Sequence, residues 1–167
     1  MGQSPNGESY TNNPNDNILI QGNADLKDGK VCPRIWTTEI TKTSEPNDII
    51  FTVRAPVGDL AINHYNAVIG RGVASLRANL YIYYYLKKLK YDHYWEQLSS
   101  GSTFDSINSN ELSQTDIYSP IVDEQKCIGK MFCKIDDLIT LHQRVYNFYN
   151  YWNLSGIYCR YYLFIYV

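Results

Sequence analysis

The chain has 167 residues, of which 44% are hydrophobic, and its formal net charge at pH 7 is −2. This length predicts one domain, with an appendage at most, and enough apolar residues for a core. The charge counts against a strongly basic nucleic-acid-binding domain. A local basic patch can still bind nucleic acid, although the isolated chain would bind weakly.

The cysteines and the N-terminus predict a cytoplasmic protein without a metal site. None of the four cysteines forms a Cys-x-x-Cys pair, and no histidine lies beside them at metal-ligand spacing. Reduced thiols are therefore expected. The polar N-terminus does not look like a signal peptide.

The first half of the chain predicts loops and short strands. A polar loop over residues 2–17 contains a turn at residues 13–16, and residues 28–29 predict a second turn. A third turn at residues 46–48 precedes a β-branched strand, and residues 63–66 predict a hairpin-like link. Strands are predicted at residues 18–20, 34–38 (with the alternation of a strand edge), 49–53, 59–62 and 68–76, the last interrupted by two glycines.

The second half predicts helices. Apolar residues follow a helical period from Leu80, and lysines lie near the end of that segment, where they complement the helix dipole. A small-residue loop at residues 99–104 precedes a short helix from Ser109. Ser119 and Pro120 predict the N-cap and first residue of a long helix.

The long helix carries an apolar seam at steps of four and three residues, which predicts packing against another helix. It has too few heptads to be stable alone. The predicted subunit-interface residues of this seam are Ile128, Phe132, Ile135, Ile139 and His142, with Tyr146 continuing it.

The aromatic-rich tail that follows the long helix is atypical. Asn153, Ser155, Gly156 and Arg160 interrupt it, so no membrane span is expected. The chain therefore divides into residues 1–119, a helix over residues 120–145 and a tail over residues 146–167.

Several motifs occur in an order that resembles the specificity subunit of type I restriction-modification systems, over residues 1–144. Each motif is short, but their shared order is specific. They are Gly-Gln-Ser-Pro at residues 2–5, Pro-Arg-Ile-Trp-Thr at 33–37, Arg-Ala-Pro-Val-Gly at 54–58, Ile-Gly-Arg-Gly at 69–72, Gly-Ser-Thr-Phe at 101–104 and the start of the spacer helix, up to residue 144.

The resemblance implies an α/β (α+β) fold, in which a curved mixed-sheet target-recognition domain precedes the long helix of an antiparallel coiled coil. It implies sequence-specific recognition of one half of a bipartite double-stranded DNA target. The implied partners are modification (methyltransferase) subunits, a restriction subunit and a second copy of the chain through the spacer helix. Those subunits use S-adenosylmethionine, ATP and Mg²⁺, and no cofactor is expected in this chain.

Arginines at strand ends are the main candidates for DNA contacts. Arg54 and Arg71 can each grip a guanine edge or a phosphate, or they can pair with Asp48 or Asp59 as structural ion pairs. Hydroxyl and amide groups in loops can donate to DNA or only shape turns. The complete predicted DNA-binding set is Gln3, Ser4, Lys30, Arg34, Arg54, Arg71, Ser102 and Thr103. No catalytic set or cofactor motif is recognisable, which predicts a non-catalytic subunit.

The chain is expected to depart from the family pattern in three ways. It begins inside the recognition domain, it holds one such domain, and its helix lacks the usual Lys- and Leu-rich continuation after residue 145. We expect the tail to be read out of frame or from a rearranged gene junction. The alternative function is therefore a non-functional or recombination-donor fragment with only a structural or interaction role.

Overall fold

The computed structural model describes residues 1–99 and 106–154. The predicted loop residues 100–104, with Ser102 and Thr103, and tail residues 155–167 lie outside that part. Single-turn 3₁₀ helices occupy Gly7–Ser9 and Asn23–Asp25. The other described elements are β1 (Tyr10–Thr11), β2 (Asn17–Ile20), β3 (Leu26–Lys27), β4 (Lys30–Val31), β5 (Ile35–Thr37), β6 (Thr43–Ser44), β7 (Ile49–Thr52), β8 (Leu60–Ile62), β9 (Ala67–Ile69), β10 (Val73–Leu76), α1 (Leu80–Tyr91), α2 (Tyr94–Ser99), α3 (Ser109–Ser113) and α4 (Val122–Leu154).

The strands form two mixed sheets of five strands each. The first sheet has the order β1-β5-β2-β9-β6, and its parallel pair is β2 with β9. The second has the order β10-β7-β8-β4-β3, and its parallel pair is β8 with β4. The predicted α+β class, with mixed sheets before a long helix, is confirmed. Two details differ from the prediction. The strands form two sheets instead of one, and β5 lies between β1 and β2 instead of at an edge.

The predicted single strand over residues 68–76 is two strands in different sheets. The Gly70–Gly72 turn leaves β9 in the first sheet and delivers β10 to the second. The backbone of this turn forms hydrogen bonds toward both sheets. Gly70 N–H donates to Ile20 O of β2 (2.8 Å), and Val53 N–H, directly after β7, donates to Gly72 O (2.9 Å). The predicted hairpin-like link at residues 63–66 also crosses between the sheets. The fully buried Asn63 holds it by donating from Nδ2 to Ser44 Oγ and to the carbonyls of Glu45 and Tyr65.

The core lies on both faces of β7, whose four residues are all buried. Ile50 packs toward β2 and β9 of the first sheet. Phe51 and Val53 pack on the other face, against Leu86 of α1 and Trp95 of α2. This two-sided burial explains why the first three residues of β7 are a continuous apolar run and not an alternating pattern.

Two of the helices, α1 and α3, begin at polar caps. Asn79 caps α1 by accepting from Ile82 N–H, and Asn108 caps α3 in a reciprocal capping box with Glu111. Helix α4 begins at Val122, two residues later than the predicted first position at Pro120. The side chain of the buried Gln125 donates to Ser119 Oγ and Pro120 O, and so ties the preceding loop to the helix.

Helix α4 continues past residue 145 to Leu154. The chain forms two compact units that divide within α4, after Gly129. None of the helices described is long and apolar enough to cross a membrane. The three-part division at residues 119 and 145 stays a prediction.

Candidate nucleic-acid interface

Four chain segments meet in a polar cleft of about 320 Å³ on the first unit. The segments are the N-terminal loop, the loop after β2, the loop after β7 and the β9–β10 turn. Three predicted DNA-binding residues, Ser4, Arg54 and Arg71, come together there. We name this site the arginine cleft, and its lining residues are Ser4, Gln21, Gly22, Asn23, Arg54, Ala55, Arg71 and Gly72.

Backbone hydrogen bonds fix the N-terminal loop against the β9–β10 turn. Gly2 N–H donates to Val73 O (3.0 Å), and Gln3 N–H donates to Ile69 O (2.8 Å). Ser4 Oγ accepts from Arg71 N–H (3.1 Å). Ser4 therefore shapes the turn and retains its own O–H to donate to a ligand. The exposed side chain of Gln3, another predicted contact, is not among the residues that line the cleft.

Two glycines allow this close approach. A Cβ added to Gly2 would lie 2.2 Å from Gly70 O, and a Cβ added to Gly72 would lie 2.1 Å from Gln21 O. No side chain fits at either position without moving backbone. The Gly-Arg-Gly turn can therefore run against the Gln21 loop while it presents Arg71 to solvent.

The loop that carries Arg54 is closed by Thr52. Thr52 Oγ1 donates to Pro56 O (2.7 Å) and accepts from Asp59 N–H (2.8 Å). Gly58 N–H donates to Thr52 O (2.9 Å). The buried threonine thus satisfies the loop backbone, and the side chain of Arg54 points outward and is exposed.

The structural ion pairs considered for the two arginines do not form. Asp48 pairs with Arg77, and Asp59 pairs with Lys90. Within residues 1–99 and 106–154, the guanidinium groups of Arg54 and Arg71 have no acidic partner within 4.0 Å, and no carboxylate lines the cleft. Two uncompensated cations beside hydroxyl and amide groups make this surface suited to an anionic, hydrogen-bonding ligand.

The predicted contacts Lys30 and Arg34 do not line the cleft. Lys30 is exposed on β4, opposite Lys27 of β3. Arg34 Nε donates to Asp25 Oδ1 (3.2 Å), so this arginine forms an ion pair with a carboxylate that is almost fully buried.

The prediction of site residues missed the loop after β2. Gln21, Gly22 and Asn23 line the cleft, and Asp25 accepts from the first two of their backbone N–H groups. Nothing in the residue types of Gln21 and Gly22 distinguishes them from an ordinary turn.

The helix seam is exposed. Phe132, Ile135 and Ile139 expose 41%, 41% and 50% of their surface, and His142 is exposed as well. Ile128, the first seam residue, is half-buried in the first unit. The apolar helix surface of the second unit is broader than the seam, and consists of Met131, Phe132, Ile135, Leu138, Ile139, Leu141, Val145, Tyr146, Phe148 and Tyr149.

Among the residues described, no group of three or more His, Cys, Asp and Glu side chains is arranged to hold a metal ion. The described cysteines Cys32, Cys127 and Cys133 are free thiols.

A two-sheet α+β domain with a basic, hydrogen-bonding cleft, followed by a long helix with an exposed apolar surface, defines a recognition module. Residues 2–147 match the family model described as the type I restriction modification DNA specificity domain. The chain belongs to this family, as its motifs indicated.

Individual relatives agree with this assignment. The chain is 34% identical over 150 residues to a Methanocaldococcus jannaschii protein named for the specificity subunit of type I restriction enzyme MjaX, covering 86% of this chain and 35% of that protein. The solved HsdS subunit of Thermoanaerobacter tengcongensis is 31% identical, with a TM-score of 0.72 over 87% of this chain and 36% of the other. A structure described as the basis of complex assembly and conformational transition of the type I R-M system is 33% identical, with a TM-score of 0.74 over 87% and 37%. The chain thus spans about a third of the length of these relatives.

Proposed function

We propose that the chain recognises double-stranded DNA through the arginine cleft and reads one half of a bipartite target for a type I restriction-modification complex. The observation that carries the proposal is the convergence of Ser4, Arg54 and Arg71 in one cleft without an acidic partner among the residues described. Each arginine can hold a phosphate or the O6 and N7 atoms of guanine. The amides of Gln21 and Asn23 can read a base edge or position the backbone.

The proposed role is recognition without catalysis. Modification subunits would bind S-adenosylmethionine and methylate the DNA, and a restriction subunit would use ATP and Mg²⁺, all in a cytoplasmic complex. The net charge of −2 supports this division of work, because neutralising phosphates requires basic surface that the isolated chain has little of. We therefore expect weak binding by the chain alone and tighter binding with a modification subunit.

The apolar helix surface is proposed to pair with a second helix in an antiparallel coiled coil, supplied by another copy of the chain. Exposure of Ile135 and Ile139 at seam spacing supports this. Sedimentation velocity should find an associated species that the double variant Ile135→Asp/Ile139→Asp converts to monomer. The off-seam variant Thr140→Asp is the control. A monomeric wild-type chain, or equal dissociation in both variants, would contradict the pairing.

The DNA proposal is tested by selection from a random-sequence duplex library. The 167-residue chain is used alone and with a type I modification subunit. One sequence should be enriched with the subunit present. Arg54→Gln and Arg71→Gln should each lose about 5- to 150-fold in affinity for that sequence, the range for one bidentate guanine contact. Lys27→Gln removes an exposed charge outside the cleft and is the matched control.

The two contact types give different outcomes. A guanine contact predicts that the corresponding variant tolerates other bases at one position. A phosphate contact predicts uniform weakening and a salt slope smaller by about 0.9. Enrichment of no sequence with the subunit present would refute the proposal and favour the fragment alternative.

A further inference from the structure

We infer that Asp25 and Arg34 are positioning residues of the arginine cleft, and that Arg34 acts on DNA recognition through Asp25 instead of through a phosphate contact. The inference rests on the proposed function of the cleft and deepens it. It reassigns Arg34, which the sequence placed among the residues that touch DNA.

The carboxylate of Asp25 joins the cleft wall to Arg34. Its Oδ2 accepts from Gln21 N–H (2.8 Å) and Gly22 N–H (3.2 Å), which belong to two residues that line the cleft. Its Oδ1 accepts from Arg34 Nε–H (3.2 Å). A carboxylate with two backbone donors on one oxygen and a cationic donor on the other holds the loop in one conformation.

Burial makes Arg34 necessary to this arrangement. The side chain of Asp25 is 4% exposed, so water cannot replace a lost partner at low cost. Arg34 is the basic residue that pairs with Asp25 within the part of the chain that the structure describes. Without it, the buried charge would have only the two backbone donors of the loop it is meant to fix.

The bond from Nε provides a variant that separates the hydrogen bond from the charge. Gln places its terminal amide where Arg carries Nε, since both atoms follow Cδ. Arg34→Gln can therefore donate to Asp25 without a positive charge. Methionine is similar in length to glutamine, but Arg34→Met neither donates a hydrogen bond to Asp25 nor carries a positive charge. Positioning predicts different behaviour for these two variants, whereas a charge-mediated phosphate contact predicts the same loss in both.

The first measurement needs no DNA. Amide hydrogen exchange of the free chain should show faster exchange at Gln21 and Gly22 in Arg34→Met, by about tenfold for one weakened charge-assisted bond. Arg34→Gln should stay within about threefold of wild type. The control Lys27→Met should leave both amides unchanged. Unchanged exchange in Arg34→Met would overturn the inference.

The second measurement is binding to the duplex selected above. Arg34→Met should bind about tenfold more weakly, while Arg34→Gln should recover most of that loss and keep the wild-type salt slope. Equal losses in both, with a slope smaller by about 0.9, would assign Arg34 to a phosphate and overturn the inference. If the wild-type chain selects no duplex while the exchange differences are present, the proposed function fails and the positioning of the loop by Asp25 stands.

Discussion

Replacing Gly72 by alanine tests whether the arginine cleft depends on close backbone approach. The added Cβ would lie 2.1 Å from Gln21 O, and real Cβ contacts below 3.0 Å essentially do not occur. The carbonyl must therefore retreat by about 0.9 Å, or the turn must move by a similar amount. Because Gln21 N–H also donates to Asp25, this movement strains the loop that forms one wall of the cleft.

The magnitude follows from two opposing effects. Overpacking of a tightly packed position costs about 1–3 kcal/mol. Alanine also restricts the unfolded chain, which returns about 0.4–1 kcal/mol. The midpoints of these two ranges differ by about 1.3 kcal/mol, and the unfolding free energy of Gly72→Ala should fall by about that amount. Urea unfolding should show a midpoint lower by about 1 M at an unchanged m-value.

Gly22→Ala is the matched control in the same cleft. A Cβ at Gly22 meets nothing within 4 Å, and its φ of −179° is an extended conformation that alanine adopts. Its stability should be unchanged or slightly higher. If Gly72→Ala unfolds at the same urea concentration as Gly22→Ala, the reasoning from close approach is refuted.

Substitutions at three buried positions and at the two cleft arginines separate the contacts that hold the fold from the side chains that face outward. Burial raises the pKa of Asp48, but the Glu45 N–H bond, other hydrogen bonds and an arginine outweigh it, so the net pKa is lowered. The stability that the Asp48 carboxylate contributes is present above about pH 4, which is the pKa of an unfolded Asp, and is lost as the pH falls below it. The unfolding free energy of Asp48→Asn should therefore fall less steeply than that of the wild type as the solution is acidified. Trp95 is 1% exposed, so Trp95→Ala should cost about 3–5 kcal/mol in thermal unfolding. Its Nε1 has no hydrogen-bond partner among the described residues, so Trp95→Phe, which loses no hydrogen bond, should cost clearly less. Thr52→Val should cost about 1–3 kcal/mol in urea unfolding, while Arg54→Gln and Arg71→Gln should stay within about 0.5 kcal/mol.

The sequence predicted elements whose pattern is local. Strand β7 is a run of β-branched and aromatic residues, and α1 shows a helical period with a polar residue before it, so both are recognisable without tertiary information. Strands β3 and β4 have two residues each, and two residues carry no period. They exist because their backbones find partners in a sheet, which depends on the rest of the fold.

The change of sheet at residues 70–72 is not determined by the local sequence. Two glycines inside an apolar run are typical of a bulge within one strand as much as of a crossing between sheets. The choice depends on the acceptor Ile20 O in β2 and on the donor Val53 N–H directly after β7, neither of which is a neighbour of this segment in the chain. Contacts of this kind have no signature within the segment itself.

The candidate site was predictable for a related reason, but only in part. Arg54 and Arg71 follow or interrupt apolar strands, and an exposed cation at such a position is available to a ligand only when no acidic side chain pairs with it. The partner could be judged only when Asp48 and Asp59 were found to bind Arg77 and Lys90. Arg34 was predicted to contact DNA but pairs with a carboxylate. This partner lies nine residues earlier, in a segment whose sequence is typical of a simple polar turn.

The arginine cleft separates the groups that build it from the groups that face outward. Its four segments are joined by backbone hydrogen bonds, by glycines at close contacts and by the buried side chains of Thr52 and Asp25. The side chains of Arg54 and Arg71 contribute none of the hydrogen bonds that hold these segments together. Substitution at these two positions can therefore change what the cleft binds without altering the frame that presents it. The family is described by its DNA specificity. Under the function proposed above, this arrangement would let a new target arise from surface residues while the fold keeps its stability.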